Sequence, residues 1–413
     1  MTSARGRLET ARRLIESGQA PAARELLLSL RNEPSLDQIE VRFLMAMASL
    51  RSGDPAGAIA LWRDLLADHP ELVRVRLELA RALFETGSDE SARFHFQRLR
   101  AMADLPAAVR SNVERFLDAL DARRGWSADL VVAVLPDSNV NSGSSMQSVT
   151  LYGLPGFKPS DDLLQHSGVG LYVRGSVGRV LRTSSDFAWV GRATIMRRDF
   201  PNSRFDDMNL RADFGPRWIG ERDELGVLAV LSQRWLGNER ANYGVGARVE
   251  WTRRIENWWL SQVGLEQVDF RWRLYPELDG AATRLSGWQS WNIDATTVVH
   301  AGAEWYREDL VSRPLSNKRL SALVGANRDF GHGWSLGVQW RSAVTRYDEA
   351  LAAFDYVDRR DVTNTLSFSV AQRTLQWRGL MPVLYVSFVL NDSSLELYSY
   401  RRAVAQIGLS RSF

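Results

Sequence analysis

Cysteine is absent from the 413 residues, which excludes disulfides, thiolate nucleophiles and cysteine-ligated metals. Lysine is nearly absent: of 52 basic residues only Lys158 and Lys318 are lysine. The formal net charge is only +3, and no basic patch predicts a nucleic-acid partner. The five histidines lack the spacing of a metal site. We therefore expect no metal, no cofactor and no nucleic acid.

Long apolar runs are also missing. No segment approaches the ~20 apolar residues that a membrane-spanning helix needs. The first residues, MTSARGRLETARRLIE, contain no apolar core of a signal peptide, so none is visible. Of the 15 tryptophans only Trp62 precedes residue 126, and glycine is sparse there, whereas the rest is rich in Gly, Trp, Ser, Thr and Asn. This change predicts a helical domain over residues 1–125 and a β domain over 126–413.

An internal repeat marks the first domain. One set of small and bulky residues recurs 34 residues later, and an earlier copy is offset by 35. The three copies are Ala11, Gly18, Ala23, Leu27; Ala46, Gly53, Ala58, Trp62; and Ala80, Gly87, Ala92, Phe96. Small residues let paired helices approach closely, so the pattern predicts stacked helix pairs, with residues 107–122 as a capping helix. An ordinary helical bundle is the alternative.

These residues resemble the tetratricopeptide pattern, in which the first helix of each pair lines a concave binding face. By that resemblance, the groove is lined by apolar residues and arginines, which suits an extended peptide. The candidates are Phe43, Met47, Leu50, Arg51, Arg74, Leu77, Arg81 and Phe84. The alternative for each aromatic is packing between repeats.

Alternating residues dominate the second domain. Over residues 334–345 the apolar residues Trp334, Leu336, Val338 and Trp340 alternate with small or polar ones, and similar stretches recur. These stretches are about 10–14 residues long, where globular strands usually run about 5–6. Aromatic residues stand at the ends of several apolar faces. The pattern predicts an antiparallel transmembrane β-barrel of about 14 strands, with a polar lumen and an apolar band in contact with outer-membrane lipids.

Inward positions follow from the same alternation. The candidate lumen-facing residues are Arg174, Arg192, Arg211, Arg248, Glu250, Glu304 and Arg341. The ending AVAQIGLSRSF alternates as a strand that pairs with the first strand near 127–135. It resembles the signal that the barrel-assembly machinery recognises, here Gln406, Gly408 and Phe413. Arg411 departs from that signal. Residues 136–166 are expected to form an external loop.

The whole arrangement resembles the surface lipoprotein assembly modifier family, known as Slam. The features that carry the resemblance are a short tetratricopeptide domain, a join at RRGWS, a first strand that leads into LPDSNVN, and about fourteen strands. The resemblance implies an outer-membrane translocon of a Gram-negative bacterium that moves a lipoprotein or related secreted protein to the cell surface. It places the helical domain in the periplasm, where that domain captures the cargo.

Two other functions remain open at this stage. An exopolysaccharide export porin also joins tetratricopeptide repeats to a barrel, and the inward arginines suit an anionic polymer. A barrel hydrolase would need a serine and an acid near a base such as His300, which the sequence does not place. We expect no catalytic residues and no enzyme. A neighbouring gene for a small lipoprotein or for a sugar synthase would separate the first two functions.

Overall fold

Helices form the first third of the chain in the computed structural model. The structure describes residues 3–102, 105–123, 126–146, 148–151, 154–351, 354 and 356–412. The helices are α1 (Ala4–Glu16), α2 (Ala20–Leu28), α3 (Gln38–Arg51), α4 (Pro55–Asp68), α5 (Val73–Glu85), α6 (Asp89–Arg100) and α7 (Ala107–Arg123). Within the described residues, no helix is both long and apolar enough to cross a membrane.

The 34-residue repeat is visible in the way these helices pack. They form the pairs α1–α2, α3–α4 and α5–α6, and α7 packs on α6. Gly18, Gly53 and Gly87 stand at the turn inside each pair with φ of +79°, +83° and +75°, a left-handed conformation that favours glycine. The small residues at the helix crossings have no exposed surface: Ala11, Ala23, Ala46, Ala58, Ala80 and Ala92. The prediction of a helical repeat array is confirmed.

Fourteen strands of the described chain close into one antiparallel barrel, as the sequence predicts. A separate hairpin, β2 (Val149–Leu151) and β3 (Leu154–Phe157), lies between the first two barrel strands. The barrel strands are β1 (Ser127–Asp137), β4 (Gly168–Arg182), β5 (Phe187–Asp199), β6 (Asp207–Ile219), β7 (Asp223–Leu236), β8 (Glu239–Glu256), β9 (Trp259–Trp272), β10 (Gly280–Asn292), β11 (Thr297–Leu310), β12 (Asn317–Asp329), β13 (Trp334–Tyr347), β14 (Arg360–Gln372), β15 (Met381–Ser393) and β16 (Tyr400–Ser412). Each pairs with its neighbours in sequence, and β1 closes the barrel by pairing with both β4 and β16.

The two faces of each strand differ as the alternation requires. On β13 the side chains of Trp334, Leu336, Val338 and Trp340 are 42–47% exposed on the outside of the barrel. The alternate residues point inward. An apolar exterior on long, closed antiparallel strands is the arrangement of an outer-membrane barrel.

The turns at the two ends of the barrel differ. At the end where β1 begins, here called the helical end, short turns join the strands. At the opposite end, here called the far end, four connections contain a 3₁₀ turn followed by an Asp or Ser that accepts a hydrogen bond from a backbone N–H at the close of the preceding strand. These bonds are Phe200 N to Asp206 (2.8 Å), Trp272 N to Asp279 (2.6 Å), Leu310 N to Ser316 (2.9 Å) and Ser393 N to Ser399 (3.0 Å).

The longest connection at the far end is the segment over residues 138–167, which joins β1 to β4. The sequence predicted a loop over 136–166, but β1 continues to Asp137 and the segment contains its own hairpin. Asn139 closes a turn by exchanging hydrogen bonds of 2.8 Å with the backbone of Gly143. Asn141 donates to the carbonyl of Leu164 at 2.6 Å. The segment is therefore held by its own asparagines.

The predicted assembly signal lies at the closure of the barrel. Gln406 and Gly408 are on the inward face of β16, and Phe413 lies outside the described residues. A Cβ at residue 408 would lie 2.0 Å from the carbonyl oxygen of Val132, so β1 and β16 can approach closely only with glycine there. The role of these residues in assembly remains a prediction.

Candidate functional site

The helical domain presents the predicted groove residues in two environments. Met47, Leu50 and Leu77 are half-buried at the edge of the helical core. Arg51 and Arg74 are exposed, and Arg51 donates to the carbonyl of Ile15 at 2.8 Å. These side chains leave both apolar and cationic surface on the first helices of the repeats, which an extended peptide can contact.

Other predicted groove residues belong to the packing of the helices. Phe43 is only 8% exposed, lies against Trp62 with ring centroids 6.5 Å apart, and is covered by Arg74, whose guanidinium is 4.8 Å from the ring centre. Phe84 packs edge-on against Phe116 of α7 at 5.1 Å. Its neighbour Arg81 lies 3.8 Å from Glu78. Phe43 is thus the least accessible of the predicted apolar anchors, whereas Phe84 is half-buried like Met47, Leu50 and Leu77.

Helices α4 and α6 contact the turns at the helical end of the barrel. Arg98 lies 2.9 Å from the carboxylate of Asp329, and Asp68 lies 3.1 Å from Nδ1 of His332. Arg373 also binds Asp329, at 3.0 Å, and its guanidinium lies 4.6 Å from the ring centre of Phe94. These contacts join the helical domain to the β12–β13 and β14–β15 turns.

The same interface is rich in buried cations. Burial lowers the pKa of Arg76 to about 10, and the positive charge of Arg98 adds to this shift. Burial, followed by the charge of Arg76, lowers the pKa of His95 well below its usual value. Nδ1 of His95 is sealed from solvent and has no hydrogen-bond partner among the described residues. His95 is therefore neutral at pH 7, since a second proton would add charge among arginines.

Charged residues form a continuous network on one wall of the barrel. Arg211 of β6 binds Asp213 at 2.6 Å and Glu266 of β9 at 2.7 Å. The strands β7 and β8 lie between β6 and β9. Side chains of such distant strands converge only on the concave side of a sheet, so this network lies inside the barrel.

The network extends along the inner wall in both directions. Glu250 is bound by Arg217 at 2.8 Å and by Arg248 at 3.3 Å. Glu304 lies 3.5 Å from Arg284 and 3.6 Å from Arg319. Glu250, Glu266 and Glu304 each lie within 4.0 Å of two arginines, and these contacts hold the guanidinium groups in fixed positions.

The structure places the predicted lumen-facing residues on inward positions but does not bring all of them together. Arg211, Arg248, Glu250 and Glu304 belong to the network. Three others share the inward face of their strands: Arg174, Arg192 and Arg341. Among the described residues these three arginines have no ion-pair partner. Their guanidinium groups therefore add positive charge to the inner wall of the barrel.

Sequence reasoning missed part of this network. Four of its residues were not among the predicted ones, although each alternates with an outward apolar neighbour: Arg217 with Trp218, Glu266 with Leu265, Arg284 with Leu285 and Arg319 with Leu320. That alternation was the signal that could have identified them. Their pairing across strands could not be read from alternation, because it depends on the curvature of the barrel. Within the described residues, no group of acids and histidines could hold a metal ion.

Models of one protein family match both the barrel and the helical repeats. A family model described as surface lipoprotein assembly modifier matches residues 126–413, and a model of that family's N-terminal TPR repeats matches residues 7–96. The chain belongs to the surface lipoprotein assembly modifier family. The first match contains the whole barrel, and the second contains the three helix pairs except for the ends of α1 and α6.

Members of the family resemble the chain over most of its length. The surface lipoprotein assembly modifier of Pasteurella multocida is 22% identical, with 94% of this chain and 79% of the relative covered. Surface lipoprotein assembly modifier 1 of Neisseria meningitidis is 24% identical, with 97% and 81% covered. The hemophilin secretion modulator of Acinetobacter baumannii is 22% identical, with 85% and 74% covered. The family and the barrel together indicate an outer-membrane protein.

Proposed function

We propose that this protein is an outer-membrane translocon that moves a lipoprotein, or a related secreted protein, to the cell surface. The observation that carries this proposal is the combination of a family match over the entire barrel with a charged, inward-facing wall. A lumen lined by fixed ion pairs, and by three arginines that have no ion-pair partner in the described parts of the chain, suits a polar chain with acidic segments. The family descriptions name lipoprotein assembly, and one relative is named for hemophilin secretion.

The helical domain captures the cargo in the periplasm in this proposal. Half-buried Met47, Leu50 and Leu77 supply apolar contacts, and exposed Arg51 and Arg74 supply cationic ones. The junction with the barrel turns keeps this surface beside the barrel, because Arg98 and Arg373 converge on Asp329. Cargo bound to the helices is then close to the barrel end. The barrel-assembly machinery and outer-membrane lipids are the other proposed partners.

Deletion of the gene tests the proposal. Intact cells with and without this protein are labelled with a membrane-impermeant biotin reagent, and surface proteins are quantified by mass spectrometry. We expect specific lipoproteins or secreted proteins to be lost from the surface and retained inside the deletion strain, and restored by complementation. An unchanged set of surface proteins would contradict the proposal, and loss of surface polysaccharide instead would support the exopolysaccharide porin.

A further inference from the structure

The junction at which the barrel closes is interrupted near its far end. Cα partners between β1 and β16 run without a break from Asp129 and Ser412 to Val134 and Ile407, and resume at Asp137 and Val404. No β16 partner is described for Leu135 or Pro136. On its other side, the same part of β1 pairs continuously with β4. The break therefore affects only the closing junction, here called the seam.

Pro136 explains the break. The backbone N–H of Ser138 donates to the carbonyl of Ala403 on β16 at 3.0 Å. Alternate residues of a strand direct their N–H groups to the same neighbour, so residue 136 would also donate to β16. Proline has no N–H, and the seam loses one ladder hydrogen bond at this position.

A second proline provides a comparison. Pro216 interrupts the pairing of β6 with β7 in the same way, because the partners stop at Phe214 and resume at Arg217. The strands β6 and β7 are joined by a short turn, so they cannot separate freely. No turn joins β1 to β16. A gap at the seam can therefore widen where a gap within a hairpin cannot.

Side chains hold the seam beyond the gap. The guanidinium of Arg402 on β16 binds the buried carboxylate of Asp137, with Nε 3.0 and 3.1 Å from its two oxygens. Ser138 accepts a hydrogen bond from the backbone N–H of Ala403 at 2.8 Å, and Asn139 donates to the carbonyl of Arg401 at 3.2 Å. In the stretch PDSN, the backbone break at Pro136 is therefore followed directly by three residues whose side chains form hydrogen bonds with β16. These residues, here called the latch, are Asp137, Ser138 and Asn139.

The outer surface beside the break is an apolar recess. An open cleft of about 460 Å³ lies against the seam, and outward-facing side chains on its wall include Pro136, Val169, Val386 and Ala403. The small residues Ala403 and Ala405 leave this space on the lipid side of the barrel. The recess lies at the far end, next to the latch.

We propose that the seam between β1 and β16 opens beside Pro136 as a lateral exit for lipid-anchored cargo. This inference rests on the proposed function, since it concerns how such cargo leaves the lumen. A lipoprotein has a polar body and acyl chains, and the acyl chains are unfavourable in a charged lumen. Beside Pro136 the seam lacks two backbone pairs and is held largely by side chains, so this part of the seam can separate while the neighbouring junction of β1 with β4 keeps its hydrogen bonds. The body then reaches the far end, and the acyl chains enter the membrane through the apolar recess.

Disulfide locking tests the opening, because the chain has no cysteine of its own. The outward-facing partners Val134 and Ile407 are changed to cysteine in the full chain, which locks the seam when oxidised. The matched control combines Ile407→Cys with Leu384→Cys, because Leu384 of β15 is the partner of residue 407 on the opposite edge of β16. Oxidation of this control cross-links β15 to β16 and leaves the seam free. The readout is the surface amount of the lipoproteins that the deletion experiment shows to depend on this protein.

The seam lock should reduce these lipoproteins at the surface to the level of the deletion strain, and a reducing agent should restore them. The control lock should leave them at the wild-type level. Normal surface display with a fully cross-linked seam would overturn the lateral exit but leave the proposed function intact. If no surface lipoprotein differs between the wild-type and deletion strains, the proposed function itself is contradicted. Unheated gels confirm that both locked barrels are folded.

Replacing each proline gives an independent measurement. Pro136→Ala restores the missing N–H donor at the seam, and Pro216→Ala does the same within the β6–β7 hairpin. We expect less lipoprotein at the surface for Pro136→Ala and wild-type amounts for Pro216→Ala. Equal display in both variants would show that the break at Pro136 has no part in export.

Discussion

Single residues at the junction between the helices and the barrel have shifted pKa values, from which we expect a response to acid. His95 faces positive charge from Arg63, Arg76 and Arg98 of the helical domain and from Arg373 of a barrel turn. A hydrogen bond from Arg42 lowers the pKa of Asp68, so this acid remains charged beside His332. The junction therefore combines a histidine that resists protonation with an acid that resists neutralisation.

Acid should weaken the helical domain through His95. Its pKa in the folded protein lies below the value of 6.5 for the unfolded chain, so protons bind the unfolded chain more readily. The contribution of neutral His95 to the free energy of unfolding is fully present above pH 6.5. As the pH falls below 6.5, this contribution decreases by about 1.4 kcal/mol per pH unit until the pKa of His95 in the folded protein is reached. Thermal unfolding of the helical circular-dichroism signal, followed in detergent from pH 7.5 to 5, measures this loss.

The variant His95→Gln is the matched control because it removes the titrating group and keeps a polar side chain. Its unfolding temperature should depend less on pH than that of the wild-type protein. The strand signal should persist in both proteins while the helices melt. An equal pH dependence in the two proteins would show that another group causes the loss.

At the scale of helices and strands, alternation and repeat spacing predicted much of the architecture. Each barrel strand separates lipid from lumen, so its two faces have opposite compositions, and this two-residue period is readable from sequence. The 34-residue period was readable because Gly53 and Gly87 must adopt positive φ in equivalent turns. Contacts between distant elements could not be predicted. Arg211 meets Glu266 across two strands only because the sheet curves, and Arg98 meets Asp329 only because the domains dock.

The groove illustrates the same difference between pattern and packing. Phe43 was expected to face the cargo, but it is buried against Trp62. Helical spacing identifies the helix that lines a groove, but it does not distinguish a groove residue from one that packs between neighbouring helices. The more exposed Met47 and Leu77 are better candidates for cargo contact.

Truncating these two residues tests the capture of cargo. We expect Met47→Ala with Leu77→Ala to weaken binding of a dependent lipoprotein by roughly 2–4 kcal/mol if both are hot spots, and to reduce its surface display. Affinity is measured with purified full-length protein in detergent. Phe43→Ala serves as the comparison, because loss of a buried aromatic should instead lower the stability of the helical domain by about 3–5 kcal/mol. Unchanged affinity in the folded double variant would indicate that the helical domain is a spacer.

For the molecule as a whole, the even number of strands determines which parts lie on the same side of the membrane. β1 begins and β16 ends at the helical end, where the helices contact the β12–β13 turn. The segment over residues 138–167 and the latch of the seam lie at the far end. A periplasmic helical domain therefore requires an external far end, which is where a lateral exit would deliver cargo to the outer leaflet.

Single cysteines introduced into this cysteine-free chain can test the orientation. Ser145 is exposed in the far-end segment, and Ser91 is exposed on α6. We expect Ser145→Cys to react with a membrane-impermeant maleimide in intact cells, because the far end faces the medium. Ser91→Cys should react only after the outer membrane is permeabilised. Labelling of Ser91→Cys in intact cells, with Ser145→Cys protected and both barrels heat-modifiable on gels, would reverse the orientation and exclude periplasmic capture of cargo by the helices.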